Sequence, residues 1–315
     1  MNWWMALTGL FVGTVVGMTG MGGGALMTPI LVLFFGVSPL AAVSNDLVAS
    51  AVMKPVGAGV HMRRGTVNKR LVGWLMVGSV PAAFGGVLLA RWLGSGDDIE
   101  HVIKTALGAA LLLAAGSLVA KAYLQMRERV QGKQVSDQDA LSIRIKPVPT
   151  VVIGVIGGIV VGMTSVGSGS LMIIALLALY PMLSASSLVG TDLAQAVPLV
   201  FSAAIAHMIF GDFEFGMTAT LLIGSIPGVY LGARFSSSVS GGLVRRVLIV
   251  VLVASGLQML GVPVLATGII VTLSVVLGPL AWMWARKLNG LPARARVEAR
   301  KVETAEVARG GVVSQ

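Results

Sequence analysis

The sequence predicts an all-α polytopic membrane protein made of two homologous halves. Three observations predict it. First, 56% of the 315 residues are hydrophobic and only 11% are charged, with mean hydropathy +0.90. A soluble domain carries about 25% charged residues, so this chain cannot cover a globule with polar surface. Second, it contains 41 glycines, where a usual share of about 7% would give roughly 22. Glycine at that density in apolar sequence fits close helix packing or broken helices. Third, the chain repeats itself. The same figures exclude a soluble enzyme, and the lack of a long polar segment excludes a domain on a single-span anchor.

The repeat orders the elements. Residues 13–27, GTVVGMTGMGGGALM, align with residues 158–172, GIVVGMTSVGSGSLM, with ten of fifteen positions identical. Gly9 likewise matches Gly154. After a one-residue shift, Ser38 pairs with Ser184, Asp46 with Asp192, His61 with His207, Gly65 with Gly211 and Pro81 with Pro227. Each half opens with an apolar segment of 33 residues, 3–35 and 148–180, too long for one straight span and interrupted by glycines. Three spans of ordinary length follow: 39–60, 71–93 and 102–123, then 185–208, 216–236 and 244–261. The organisation expected is a first transmembrane repeat (1–124), a cytoplasmic polar linker (125–147) and a second repeat (148–262). An additional transmembrane helix (263–285) and a basic cytoplasmic tail (286–315) complete it. The opening MNWWMALTGLFVG lacks the basic start and cleavage site of a secretory signal and belongs to the first repeat.

The formal net charge of +10 fits the positive-inside rule rather than nucleic-acid binding. The 23 Lys and Arg lie almost entirely in loops. If each opening segment crosses once, the two sides carry 10 and 12 of them, which is no bias. If each enters and returns as a hairpin, the split is 20 to 2, with Lys54 inside a span. The rule therefore favours hairpins, an external N-terminus and a cytoplasmic C-terminus. An odd number of crossings per half makes the halves inverted repeats, a plan common among secondary transporters.

Glycine breaks, intramembrane acids and one lysine are the candidate site. Gly20, Gly22, Gly23 and Gly24, with Ser165, Gly167, Ser168 and Gly169 in the second copy, would stop a helix and restart it. A restarted helix points free N–H groups and a positive dipole end at the gap, a setting for an anion. Gly9, Gly13, Gly17 and their repeats are read instead as helix-packing positions. Asp46 and Asp192 are the only acids within expected spans, and an intramembrane acid is expensive unless it has a task. A carboxyl group that gains and loses a proton there suits proton coupling. Asn45, Thr191 and Gln195 provide neutral hydrogen-bonding neighbours. Lys54 has no basic counterpart at Val200; it is expected to snorkel to an interface, with anion contact as the other possibility. His61 and His207 are expected at interfaces.

Other chemistry is missing. The chain has no cysteine, hence no disulfide, thiolate metal site or thiol nucleophile. Neither a phosphate loop, nor H-E-x-x-H, nor a nucleophile elbow occurs. No enzyme activity, metal or cofactor is expected. Trp3, Trp4, Trp74, Trp92, Trp282 and Trp284 fall near span ends, as interfacial belts require.

With these residues in place, the chain resembles the TauE/SafE family of sulfite and organosulfur-anion permeases. The resemblance rests on GTVVGMTGMGGGALMTPIL at 13–31, the copy at 158–172, HMRRGTV at 61–67 and LVGWLMVGSVPAAFGG at 71–86. It covers about residues 5–260. It implies transport of sulfite, a sulfonate or another small sulfur anion across a bacterial inner membrane. It also implies that Gly22, Gly23 and Gly24, with Gly167, Ser168 and Gly169, are site positions. The expected function is a secondary active transporter, proton-coupled and working by alternating access, with lipid and a small anion as partners. A homo-oligomer is possible. An anion channel, or a scaffold recruiting a partner through the basic tail, are the alternatives.

Overall fold

The computed structural model describes residues 3–19, 23–63, 65–92, 97–130, 143–169, 171–181, 183, 185–235 and 241–289. Among these it has eleven α-helices and no strand: α1 Trp3–Thr19, α2 Gly24–Phe35, α3 Pro39–Arg63, α4 Lys69–Trp92 and α5 Asp97–Val130. After the linker come α6 Pro147–Thr164, α7 Leu171–Leu179, α8 Ala185–Phe210, α9 Phe215–Phe235, α10 Gly241–Met259 and α11 Val264–Leu288. The all-helical reading holds, and every expected span is a helix. Six helices are long and apolar enough to cross a membrane: α4, α5, α6, α8, α9 and α11. The expected spans α3 and α10 are not among them, and α3 carries Asp46 and Lys54 inside its apolar sequence. The chain is therefore a multi-pass membrane protein. The apolar part of α5 ends at Tyr123, and its helix runs on to Val130.

Both glycine-broken segments divide where the sequence indicates, into α1 and α2 and into α6 and α7. In the second half the return is visible. The Tyr180 hydroxyl, at the end of α7, accepts from the Lys146 amide at 2.8 Å and lies 2.6 Å from Thr150 Oγ1, at the start of α6. The chain thus comes back to where it entered. The outgoing arm α6, at 18 residues, is about 27 Å long, close to the roughly 30 Å of a bilayer core. The break follows directly on the end of this arm, at Ser165. In the first half, α2 stops at Gly36, whose left-handed backbone (φ 64°) lets its N–H cap Leu31 O.

The halves are laced together through their first helices. α1 packs along α9, and α6 packs along α4. A Cβ on Gly9 would stand 2.5 Å from Leu221 O, and one on Gly154 would stand 2.5 Å from Leu75 O. Gly9 and Gly154 are repeat-related, as are Leu221 and Leu75, so one contact is made twice with the halves exchanged. Gly13 on Ser225 and Gly158 on Ser79 repeat the pattern. Only hydrogen side chains allow this approach, as the sequence reading expected at these positions. Elsewhere α3 packs on α8 and α5 on α10, again repeat-related pairs. α11 touches mainly α10 and leaves a long exposed apolar flank, including Val264, Leu265, Val276 and Leu280. Trp3, Trp4, Trp92 and Trp284 also point outward.

Candidate functional site

The second break is a run of backbone that ordinary residues avoid. Ser165 caps α6 in the left-handed region at φ 58°, Gly167 sits at φ 117° and Gly169 at φ 104°. The last two values suit glycine alone. This run presents Ser165, Ser168 and the Gly169 amide to the two long helices α3 and α8. From the first half, α2 starts at Gly24 so close to Ser165 that an added Cβ would meet its carbonyl carbon at 2.7 Å. The two breaks therefore meet. Gly20 and Gly22 lie outside the described residues.

Asp46 lies at this meeting point, fully buried. Its Oδ2 accepts from Ser165 Oγ at 2.5 Å and from Thr28 Oγ1 at 3.2 Å, so one carboxylate oxygen is held by both halves. Its Oδ1 has no hydrogen-bond partner among the described residues, and faces the Gly23 backbone. Asp192, on α8, is buried too; the Gly169 amide donates to it, and its Oδ1 is also without a partner among the described residues. Lys54 lies between them. It is buried rather than interfacial, and Nζ donates to Ser168 Oγ at 2.6 Å. The expected snorkelling is therefore overturned. The reason is helical spacing: Asp46, Ser50 and Lys54 follow at intervals of four and share one face of α3. That face looks at the break, not at an interface.

Lys54 is within electrostatic reach of both carboxylates. No ion pair closer than 4 Å joins it to either acid. The centre thus holds two buried acids and one buried lysine, with hydroxyls on Asp46 and on Lys54. Buried charges in that state cost several kcal/mol each unless paired, and such sites in membrane helices mark functional positions. Ser50 adds to it: it is buried, and its Oγ has no partner among the described residues. Ser44 and Ser225, by contrast, donate to the carbonyl four residues back at 2.7 Å.

The neutral neighbours have a different task. Asn45 Oδ1 accepts from the Glu214 amide at 3.1 Å and from Thr218 Oγ1 at 2.7 Å. Thr191 Oγ1 accepts from the Asn68 amide at 3.1 Å. Asn45 and Thr191 are repeat-related, and so are Glu214 and Asn68, so this bond too is made twice with exchanged halves. Gln195 Oε1 accepts from Ser79 Oγ at 3.0 Å, while its Nε2 is unpartnered among the described residues. These three side chains tie α3 and α8 to α9 and α4. Gly167 faces apolar atoms of Leu171 and Val161, so its part is conformational.

His207 differs from its expected interfacial place. It is buried, with Nδ1 2.8 Å from Ser44 Oγ and Nε2 2.8 Å from the Gly162 carbonyl. It bridges α8, α3 and α6. The side chain of His61 lies outside the described residues. Near the same end, Arg91 pairs with Asp212 at 3.3 Å and donates to the Phe210 carbonyl. Among the described residues no group of acids and histidines has the arrangement of a metal site.

Sequence reasoning missed Ser50, Thr28 and Lys121. Ser50 was discoverable from its spacing to Asp46 and Lys54. Thr28 belongs to another helix and gave no signal. Lys121, near the end of the expected span 102–123, comes within electrostatic reach of Asp192.

Comparison with known proteins bears on this centre. The family model "Sulfite exporter TauE/SafE" matches residues 5–259. The chain belongs to the TauE/SafE family. Within that family it is similar to the probable membrane transporter protein YjnA of Bacillus subtilis (strain 168), at 39% identity over 255 residues, 81% of this chain and 98% of the relative. It is also similar to the probable membrane transporter protein YdhB of the same strain, at 24% over 251 residues, 79% and 96% of the two chains. No solved structure matches. The match takes in the whole meeting of the breaks and stops before α11, which is an addition of this TauE/SafE chain to the matched region. Relatives named as membrane transporters are not named as enzymes.

Proposed function

We propose that this TauE/SafE protein is a secondary transporter of a small anion, a sulfite, a sulfonate or a related sulfur compound, driven by protons. The observation that carries the reading is the buried centre to which both halves contribute: Asp46, Lys54 and Thr28 from one, Ser165, Ser168 and Asp192 from the other. An anion held there would contact both halves at once, which is what alternating access by rocking of repeats requires. Lys54, the hydroxyls and the amides at the breaks supply donors. The two carboxyl groups supply proton acceptors. The contacts made twice with exchanged halves, Gly9 on Leu221 with Gly154 on Leu75 and Asn45 on Glu214 with Thr191 on Asn68, support an inverted pair of repeats. The charge distribution supports a bacterial inner-membrane protein with its N-terminus outside and the 125–147 linker inside.

The test is uptake by proteoliposomes of sulfite, sulfate, thiosulfate and small sulfonates, with and without an imposed proton gradient. Uptake of at least one anion, accelerated by an inward proton gradient, is expected. Flux that ignores the gradient, with single-channel currents, would establish a channel instead.

A further inference from the structure

The three buried charges set a balance that the repeat does not explain. Asp46 and Asp192 are repeat-related, yet Lys54 is unique, because its counterpart is Val200. With every group ionised the centre carries one excess negative charge. One proton shared between the carboxyl groups makes it neutral. A monovalent anion added to that neutral centre restores the excess, and a second proton removes it. Both carboxyl groups are then protonated, and the lysine ammonium alone faces the anion. A divalent anion leaves an excess negative charge on these three groups and their ligand.

The surroundings leave this arithmetic intact. The described parts of α2, α6, α7 and the 165–169 run have no ionisable side chain, and offer only hydroxyls and amides. On α5, Lys121 reaches Asp192 electrostatically, with Arg245 of α10 beyond it. Lys121 is less buried than Lys54 and acts on Asp192 more weakly than Lys54 does. His207 faces Ser44 and Gly162, away from this balance. The receptive geometry is also present. The ammonium donates to a neutral hydroxyl, Ser168 Oγ, while Ser50 Oγ, one turn back on the same face, has no partner among the described residues.

We infer that Lys54 is the fixed positive charge that receives the anion, beside Ser50 and in place of Ser168, and that the centre accepts one monovalent anion with one proton. Transport is then electroneutral, and dianions are refused. This rests on the reading of the protein as a proton-coupled anion transporter. The proton comes from the side that delivers the anion, passes to the ionised carboxylate, and leaves with the anion on the other side.

The full chain in proteoliposomes tests it, with methanesulfonate as the monovalent probe and sulfate as the divalent one. An internal pH dye should count one proton per methanesulfonate. A bare monovalent anion would change its accumulation roughly fiftyfold for about 100 mV of imposed potential, whereas this protein should show less than about a twofold change. Sulfate should move at least about tenfold more slowly. Lys54→Gln should lose at least about tenfold in uptake, and Lys54→Arg should recover most of it, with both variants monodisperse on size exclusion. Potential-driven uptake, sulfate at the methanesulfonate rate, or unimpaired Lys54→Gln overturns this inference and leaves anion transport standing. Absence of flux for every anion overturns both.

Discussion

At the scale of the residue, one carboxylate oxygen of Asp46 accepts from two hydroxyls that lie 137 positions apart in the sequence, Thr28 and Ser165. Ser165 is buried and also occupies a left-handed backbone position that non-glycine residues rarely take. Ser165→Gly should keep the backbone and remove the hydroxyl, and is expected to lower uptake several-fold while the thermal midpoint in detergent stays close to that of the parent. Gly167→Ala should do the opposite. Its φ of 117° is closed to a side chain, and the strain is about 1–3 kcal/mol, so the midpoint should fall. The two acids and the two breaks were legible in the sequence because such residues are rare in apolar spans. Lys54 was misread because snorkelling or burial depends on which neighbour its helix face meets, and that neighbour, Ser168, comes from the other half. Ser50 was legible in principle, by its spacing of four to Asp46 and to Lys54, whereas Thr28 required the fold.

At the scale of the element, glycine decides how near two helices come. The α1–α9 and α4–α6 pairs are held at distances where an added Cβ at Gly9, Gly154 or Gly158 would stand 2.5 Å from a carbonyl oxygen. Gly158→Leu is expected to separate α6 from α4 and to destabilise the protein by about 1–3 kcal/mol or more through overpacking, read as a lower midpoint. Gly268→Leu, on α11, where a Cβ meets nothing within 4 Å, should leave it unchanged. Periodicity and glycine spacing announced these helices and their close packing. They did not announce the exchange of partners between halves, because a small-residue stripe records a near neighbour without naming it. Nor did composition place the end of α5, since charged residues such as Arg127 and Arg129 are good helix formers and carry the helix on to Val130.

At the scale of the whole molecule, the 20-to-2 division of basic residues implies one orientation. A native chain without cysteine makes the check direct. A single cysteine placed at Asp98 should react with an impermeant reagent in intact cells, and one near position 135 should not. Labelling near 135 would reverse the topology. Repeat-related contacts made twice with exchanged halves would, under the proposed alternating access, serve as two equivalent seams for rocking. The most direct measurement of this account is made on the double variant Asp46→Asn with Asp192→Asn, which mimics the fully protonated centre. In proteoliposomes it should still exchange labelled for unlabelled anion across the membrane, because the loaded centre stays neutral. It should fail to accumulate anion on a proton gradient, because the empty centre would carry the Lys54 charge alone. Accumulation at the rate of the parent protein would contradict the account.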